Sequence, residues 1–209
     1  MIRLDYAALR ATPAAQDPFA HVVVRNFVPP DVLPGILRDL PPMPQGGSFP
    51  PSALRLGPLG RALVAELEGP ALRAAIAEKF ALDLSDAPTM LTVRGQTRER
   101  DGAIHTDSVS KRVTVLLYLN LPKDAWAARA GCLRLLRSAT DIEDYAVEVP
   151  PTDGTLLVFP NGPTTWHGHK RHVGERYAIQ LNYMARDAAA RSELRRHRVS
   201  AFFKRLTAA

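Results

Sequence analysis

The feature that most constrains this chain is its change of character at Pro88. From there to Met184, segments 90–94, 112–120, 131–137, 146–149, 155–160 and 176–184 are short, β-branched or alternating in polarity. Turn signals such as Asp153-Gly154 and Asn161-Gly162 separate them. Parallel strands need helical crossovers between them, and no helix-period segment intervenes here. The pattern therefore predicts an antiparallel sandwich or jelly roll with helices packed on one sheet, a mainly β fold with α support.

The residues before Pro88 supply that support. Residues 21–28 (HVVVRNFV) alternate like a strand, Pro29-Pro30 ends it, and Asp31 is expected to cap a helix running through Ile36 to Leu40. Residues 41–51 (PPMPQGGSFPP) read as a loop. Residues 61–80 carry apolar positions at helical spacing, interrupted at Gly69-Pro70, so two successive helices are expected. The tail, 187–206, returns to helix, with Val199, Phe202, Phe203 and Leu206 on one face. A chain of 209 residues suits one domain: support over 1–87, β core over 88–185 and a C-terminal helix over 186–209.

Composition removes several function classes. With 46% hydrophobic and 23% charged residues, the chain has enough apolar material for a packed core. No window is long and uncharged enough for a membrane helix, and Arg3 and Asp5 interrupt any secretory signal, so a cytoplasmic location is expected. Cys132 is the only cysteine, which excludes an intrachain disulfide and a cysteine-built metal site; its place beside Leu133 suggests a buried small residue. The net charge of +6 would suit an acidic partner. The excess is mostly arginine in a chain rich in alanine and proline, so nucleic acid is not the first expectation.

Chemistry enters with His105-Thr106-Asp107. On extended backbone His105 and Asp107 project to one face, so an imidazole and a carboxylate can grip one metal. A second histidine from elsewhere would complete a two-His-one-carboxylate triad, which leaves coordination positions open for oxygen chemistry on Fe(II). In a chain with six histidines, H-x-D alone proves little. The downstream order strengthens it. A buried strand over 113–120 is followed by another over 154–159, which leads into Trp166-His167-Gly168-His169. Nine positions beyond His167 (176 − 167), Arg176 opens a strand on which Arg176, Ala178, Gln180 and Asn182 share a face. An inward arginine is costly unless it meets an anion, and its planar fork suits a carboxylate. His169 has the same strand parity as His167, so period two does not separate them as third ligand, and His172 also competes.

Residues 90–184 resemble the prolyl-hydroxylase branch of the 2-oxoglutarate/Fe(II) dioxygenases. The resemblance rests on an ordered set: His105-Thr106-Asp107, Tyr118-Leu119-Asn120, Gly131-Cys132-Leu133-Arg134-Leu135, Leu156-Leu157-Val158-Phe159, His167 and Arg176. It implies a double-stranded β-helix with Fe(II) in its mouth, held by His105, Asp107 and His167. It further implies that Arg176 pairs with the distal carboxylate of 2-oxoglutarate, with Tyr118 donating to the same group and Leu116 and Leu133 lining the pocket floor. O2 would be the oxidant, with ascorbate as a possible auxiliary. The Arg176 spacing and the Trp-His-Gly context favour His167, leaving His169 at the rim and His172 in a turn. Halogenating relatives have a small residue where Asp107 stands, so hydroxylation is implied. Arg94 occupies a position where many relatives carry a tyrosine; Arg94, Gln180 and Asn182 are candidate substrate contacts.

The implied substrate is a prolyl or other peptidyl side chain, or a small metabolite. Two other readings compete. One is a nucleic-acid demethylase of the same chemistry, touching phosphates through Arg94, Arg98, Arg100, Lys111 and Arg112. The other is a non-enzymatic jelly-roll metal-binding or sensor domain, which would bind metal without 2-oxoglutarate. Residues 41–51 and 123–130 are candidate lids. Oligomeric state is open, since the apolar face of the C-terminal helix could dock on its own domain or on a second copy.

Overall fold

Local sequence rules place the supporting helices. The computed structural model describes residues 2–43, 45–122, 126, 128–187 and 189–196. Helix α1 (Tyr6–Ala11) starts where the Asp5 carboxylate accepts from the Ala8 N–H at 2.8 Å, satisfying one of the free donors of a helix start. Helices α3 (Pro58–Leu67) and α4 (Pro70–Phe80) each begin with proline after a glycine. Proline is tolerated there because the first-turn N–H has no partner within the helix. The expected pair of helices is thus present, broken at Gly69-Pro70.

Helix α2 (Leu33–Asp39) corrects one expectation. Its N-cap is Val32, not Asp31, and no side chain caps it. The Pro29 carbonyl instead accepts from the N–H groups of Val32 and Leu33, at 3.0 and 3.1 Å. Pro34, at the second helical position, lacks the N–H that a capping carboxylate commonly takes. Helix α1 was not anticipated at all.

Eight strands follow the expected series closely: β1 (Val22–Val24), β2 (Thr89–Thr97), β3 (Lys111–Tyr118), β4 (Leu133–Leu136), β5 (Tyr145–Val149), β6 (Thr155–Pro160), β7 (His167–His169) and β8 (Gly174–Met184). They form a five-stranded sheet in the order β1-β6-β3-β8-β2 and a three-stranded sheet in the order β5-β4-β7. All the strand pairs in both sheets are antiparallel. This is the sandwich expected from the sequence, though β1 is much shorter than residues 21–28.

Register sorts the residues of the large sheet between its two faces. Val93, Val115, Leu117, Leu156, Val158, Ile179 and Leu181 join Leu33, Ile36, Leu63, Leu67, Leu72 and Ile76 of the helices in the principal core. The opposite face meets the small sheet, where Tyr118, Leu157, Phe159 and Ala178 pack with Leu133, Leu135 and Val149. The functional groups lie on this second face.

Two connections fix edges and corners. Phe49 exchanges main-chain hydrogen bonds with Val93, 2.9 and 2.7 Å, so the proline- and glycine-rich loop is tied to edge strand β2. Asp153 and Gly154 both take φ of 60° in the turn before β6, and the Thr155 N–H bonds to the Thr152 carbonyl at 3.0 Å. Residues 189–196 are helical, while the proposed apolar face at Val199, Phe202, Phe203 and Leu206 lies outside the described residues, as do 123–125 and 127. Among the described residues, no helix is long and apolar enough to cross a membrane.

Gly154 supplies a test of this turn. A Cβ there would lie 2.6 Å from the Val28 carbonyl oxygen, in addition to the left-handed φ. Gly154→Ala is expected to lower the unfolding free energy by about 1–3 kcal/mol. Urea denaturation would measure it, and an unchanged midpoint would count against the turn geometry.

Candidate active site

The site is assembled by main chain before any side chain acts. His105 N–H bonds to the His167 carbonyl at 3.0 Å, and His167 N–H returns to the His105 carbonyl at 2.9 Å. This antiparallel bridge attaches the H-x-D segment to β7 and so to the edge of the small sheet. The two imidazoles then lie 4.3 Å apart, centroid to centroid.

The donor atoms of His105, Asp107 and His167 all fall within 4.8 Å of one another, so this group could hold a metal ion. Each imidazole is oriented by its other nitrogen: His105 Nδ1 contacts the Ala103 carbonyl at 2.8 Å and His167 Nδ1 the Thr165 carbonyl at 2.9 Å. A carbonyl can only accept, so each Nδ1 carries the hydrogen and each Nε2 keeps its lone pair for a metal. Burial, followed by the neighbouring His105, pushes His167 down to about 4, which keeps it neutral. His167 Nε2 is 4.0 Å from Asp107 Oδ2.

Asp107 is held from behind. Lys111 Nζ donates to Oδ1 at 2.5 Å and Thr114 Oγ1 to Oδ2 at 2.6 Å. Thr114 in turn accepts from Asn161 Nδ2 at 2.8 Å. Burial pushes the carboxyl up, but the charge and hydrogen bond of Lys111, with that of Thr114, outweigh it and hold Asp107 below the usual carboxylate range. A carboxylate has about four lone-pair sites, so these two bonds leave room for a metal. Sequence reasoning missed Thr114 and Asn161 and read Lys111 as a phosphate contact. The available signal was Thr114, a hydroxyl in an apolar strand.

Arg176 lies on β8 facing the small sheet and is 6% exposed. Its Nε donates to the Gly131 carbonyl at 2.8 Å, whereas the buried Nη2 has no partner. The Tyr118 ring lies 5.2 Å from the guanidinium carbon. Burial raises the Tyr118 hydroxyl, with the charge and hydrogen bond of Arg176 opposing. Leu116 and Leu133 pack in the same inter-sheet cluster as Tyr118.

The remaining candidates separate clearly. His169 is not in the metal-competent group; its Nδ1 contacts the Lys170 carbonyl at 2.8 Å and its ring packs over Gly102. Burial, then the charge of Arg176, pushes it down to about 4. His172 packs against Trp126 with the rings tilted and their centroids 4.7 Å apart. Asn182 is buried, with its Oδ1 3.2 Å from Thr114 Oγ1 and 3.3 Å from Gln180 Nε2. Arg94 Nε donates to Ser48 Oγ at 2.9 Å. Arg98 is paired with Asp101 at 3.2 Å, so of the five basic residues considered for phosphate contacts, Arg100 and Arg112 are the exposed ones. Cys132 is buried, as its apolar neighbours suggested.

Two imidazoles and a carboxylate thus converge on one point, with a buried guanidinium on the same inter-sheet face, and form a donor set that could hold a divalent metal with positions left open. Residues 94–184 match the family described as the 2OG-Fe(II) oxygenase superfamily. The fold is similar to that of a Pseudomonas putida prolyl-4-hydroxylase, at 18% identity and TM-score 0.54, covering 87% of this chain and 99% of that one. It is also similar to a Phytophthora capsici prolyl 4-hydroxylase (16% identity, TM-score 0.57, 92% of this chain and 69% of that one). A third is the Paramecium Bursaria Chlorella virus-1 collagen prolyl hydroxylase in its 2-oxoglutarate complex (14% identity, TM-score 0.51, 83% of this chain and 99% of that one). No curated protein sequence matches the chain. The family match thus covers the β core, residues 94–184, and the fold of the chain is similar to that of the prolyl 4-hydroxylases. The matched family is one of oxygenases that use Fe(II) and 2-oxoglutarate.

The Thr114 hydroxyl gives a test that does not depend on substrate. Thr114→Val removes the donor to Asp107 Oδ2 while nearly keeping side-chain shape, and is expected to weaken divalent-metal affinity roughly 10- to 100-fold. Anaerobic Fe(II) or Mn(II) titration would read it, and wild-type affinity would show that Asp107 needs no such support.

Proposed function

We propose that His105, Asp107 and His167 hold Fe(II) through two Nε2 atoms and one carboxylate oxygen. Arg176 and Tyr118 hold the distal carboxylate of 2-oxoglutarate, over a floor that includes Leu116 and Leu133. The observation that carries this reading is the buried Arg176 Nη2, a charged donor without a partner, on the inter-sheet face shared with the triad. Leaving such a donor unmet costs several kcal/mol by order of magnitude, about 3–5 for a buried charge, and a carboxylate is the anion its geometry suits. The donor set fits Fe(II) as well: two neutral imidazoles and one carboxylate leave coordination positions free.

Bound there, Fe(II) and 2-oxoglutarate supply O2 activation, in which one oxygen atom enters the substrate C–H bond and the other enters succinate as CO2 leaves. The chain's own residues do the rest. Ala103 and Thr165 carbonyls fix the two imidazoles, Lys111 and Thr114 fix the carboxylate, and Arg176 fixes the co-substrate's far end. Leu133, Leu135 and Phe159 keep water from the space between the sheets. The reaction we assign is hydroxylation of a prolyl or other peptidyl side chain, or of a small metabolite.

His105→Ala or Asp107→Ala is expected to abolish succinate formation from 2-oxoglutarate, and unchanged turnover would refute the ligand assignment. Arg176→Ala should act differently, raising the KM for 2-oxoglutarate roughly 10- to 100-fold. Saturation at wild-type concentrations would remove Arg176 from this role.

A further inference from the structure

A second guanidinium faces the same space. Register places Arg94 of β2 opposite Ala178 of β8, on the face that carries Tyr118, Arg176 and Gln180. Arg176 is two residues from Ala178 on that face, about 7 Å along the strand. Arg94 is mostly buried, and burial lowers its pKa, with the like charge of Arg176 adding to the effect. Its Nε donates to Ser48 Oγ, and among the described residues no carboxylate lies within ion-pair distance of it. The two Nη groups are therefore the end of the fork left to meet something else.

Charge in the mouth makes the same point. Arg94, Arg98, Arg176 and Lys111 stand against two carboxylates, Asp101 and Asp107; Asp101 is paired with Arg98 and Asp107 with Lys111, which leaves two positive charges. Fe(II) and dianionic 2-oxoglutarate cancel each other, so loading the site does not remove this excess. Arg176 is satisfied by the co-substrate in the reading above; Arg94 is not. A partly desolvated guanidinium in such a position favours an anion on the substrate itself.

Resting on that reading of the site, we infer that Arg94 binds a carboxylate of the primary substrate, which is a small free acid such as a free α-amino acid rather than an internal residue of a neutral peptide. Arg94 stands opposite Ala178, and Thr114, which holds Asp107, stands opposite Asn182, four residues along the same face of β8, so the carboxylate and the reacting carbon belong to one short molecule. Ser48 orients the fork from the loop tied to β2 through Phe49 and Val93, and Gln180, two register pairs further along on the same face, offers a neutral amide.

The test first asks whether Fe(II) and 2-oxoglutarate, added without oxygen, give the visible charge-transfer band of their chelate in the wild-type protein. Its absence would sink the oxygenase reading itself. Succinate release is then followed with free L-amino acids, the same amino acids as carboxamides, and phosphomonoesters such as O-phosphoserine amide. The expected result is stimulation by at least one free acid and, at equal concentration, roughly one-tenth or less of that stimulation by its amide. Arg94→Gln, which keeps a donor for Ser48, should raise KM for that acid roughly 10- to 100-fold with a smaller change in kcat, and erase the acid-over-amide preference. Arg94→Lys should restore part of it. Where the chelate band forms, four results overturn the inference: no stimulation by any acid, equal use of amides, preference for phosphomonoesters, or acid preference surviving in Arg94→Gln.

Discussion

The pair of main-chain hydrogen bonds between His105 and His167 is the constraint on which the site depends. It joins two segments far apart in sequence and sets both imidazoles on the same side of the small sheet. Once that bridge is made, strand alternation delivers Asp107 to the same point, because it stands two residues from His105. Side-chain hydrogen bonds then refine rings and carboxylate already brought together by backbone. A metal site built this way is pre-organised by the sheet.

The network behind Asp107 links the metal group to the large sheet. Thr114 on β3 touches Asp107, Asn161 and Asn182, so the carboxylate is braced by the strand that also carries Leu116 and Tyr118 two and four positions on. The same β3 face thus supports the acid at one end and meets the guanidinium of Arg176 at the other. Arg94 on β2 and Gln180 on β8, the proposed substrate contacts, share the inner face of the large sheet with them.

What the sequence revealed follows from which signals are local. The apolar, β-branched run at 113–120 gave strand β3, and alternation in 176–184 gave β8 with its inward face, because both signals are properties of each strand alone. Gly69-Pro70 marked a helix break for the same reason. The competition between His167 and His169 could not be resolved by parity, since both project alike; only the cross-strand partner of each settles which meets His105. Asp31 looked like a cap because the rule for caps is local, whereas the turn at Pro29 and the missing N–H of Pro34 decided the helix start. Lys111 was read as a phosphate contact because its spacing from Asp107, four residues away, does not say that the two fold back against each other. The bracing of Asp107 by Thr114 and Asn161 is likewise a tertiary fact.

The tie between Phe49 and Val93 has a consequence beyond the mouth. Strand β2 is nine residues long and borders the large sheet, the kind of edge on which a foreign strand can grow. The loop occupies main-chain groups in the middle of that border, so no unbroken ladder is offered to another molecule. At the opposite border β1 has only three residues. The large sheet is thereby closed to end-to-end stacking at both sides, and a short segment that helps aim an arginine also guards the protein against fibre-like association.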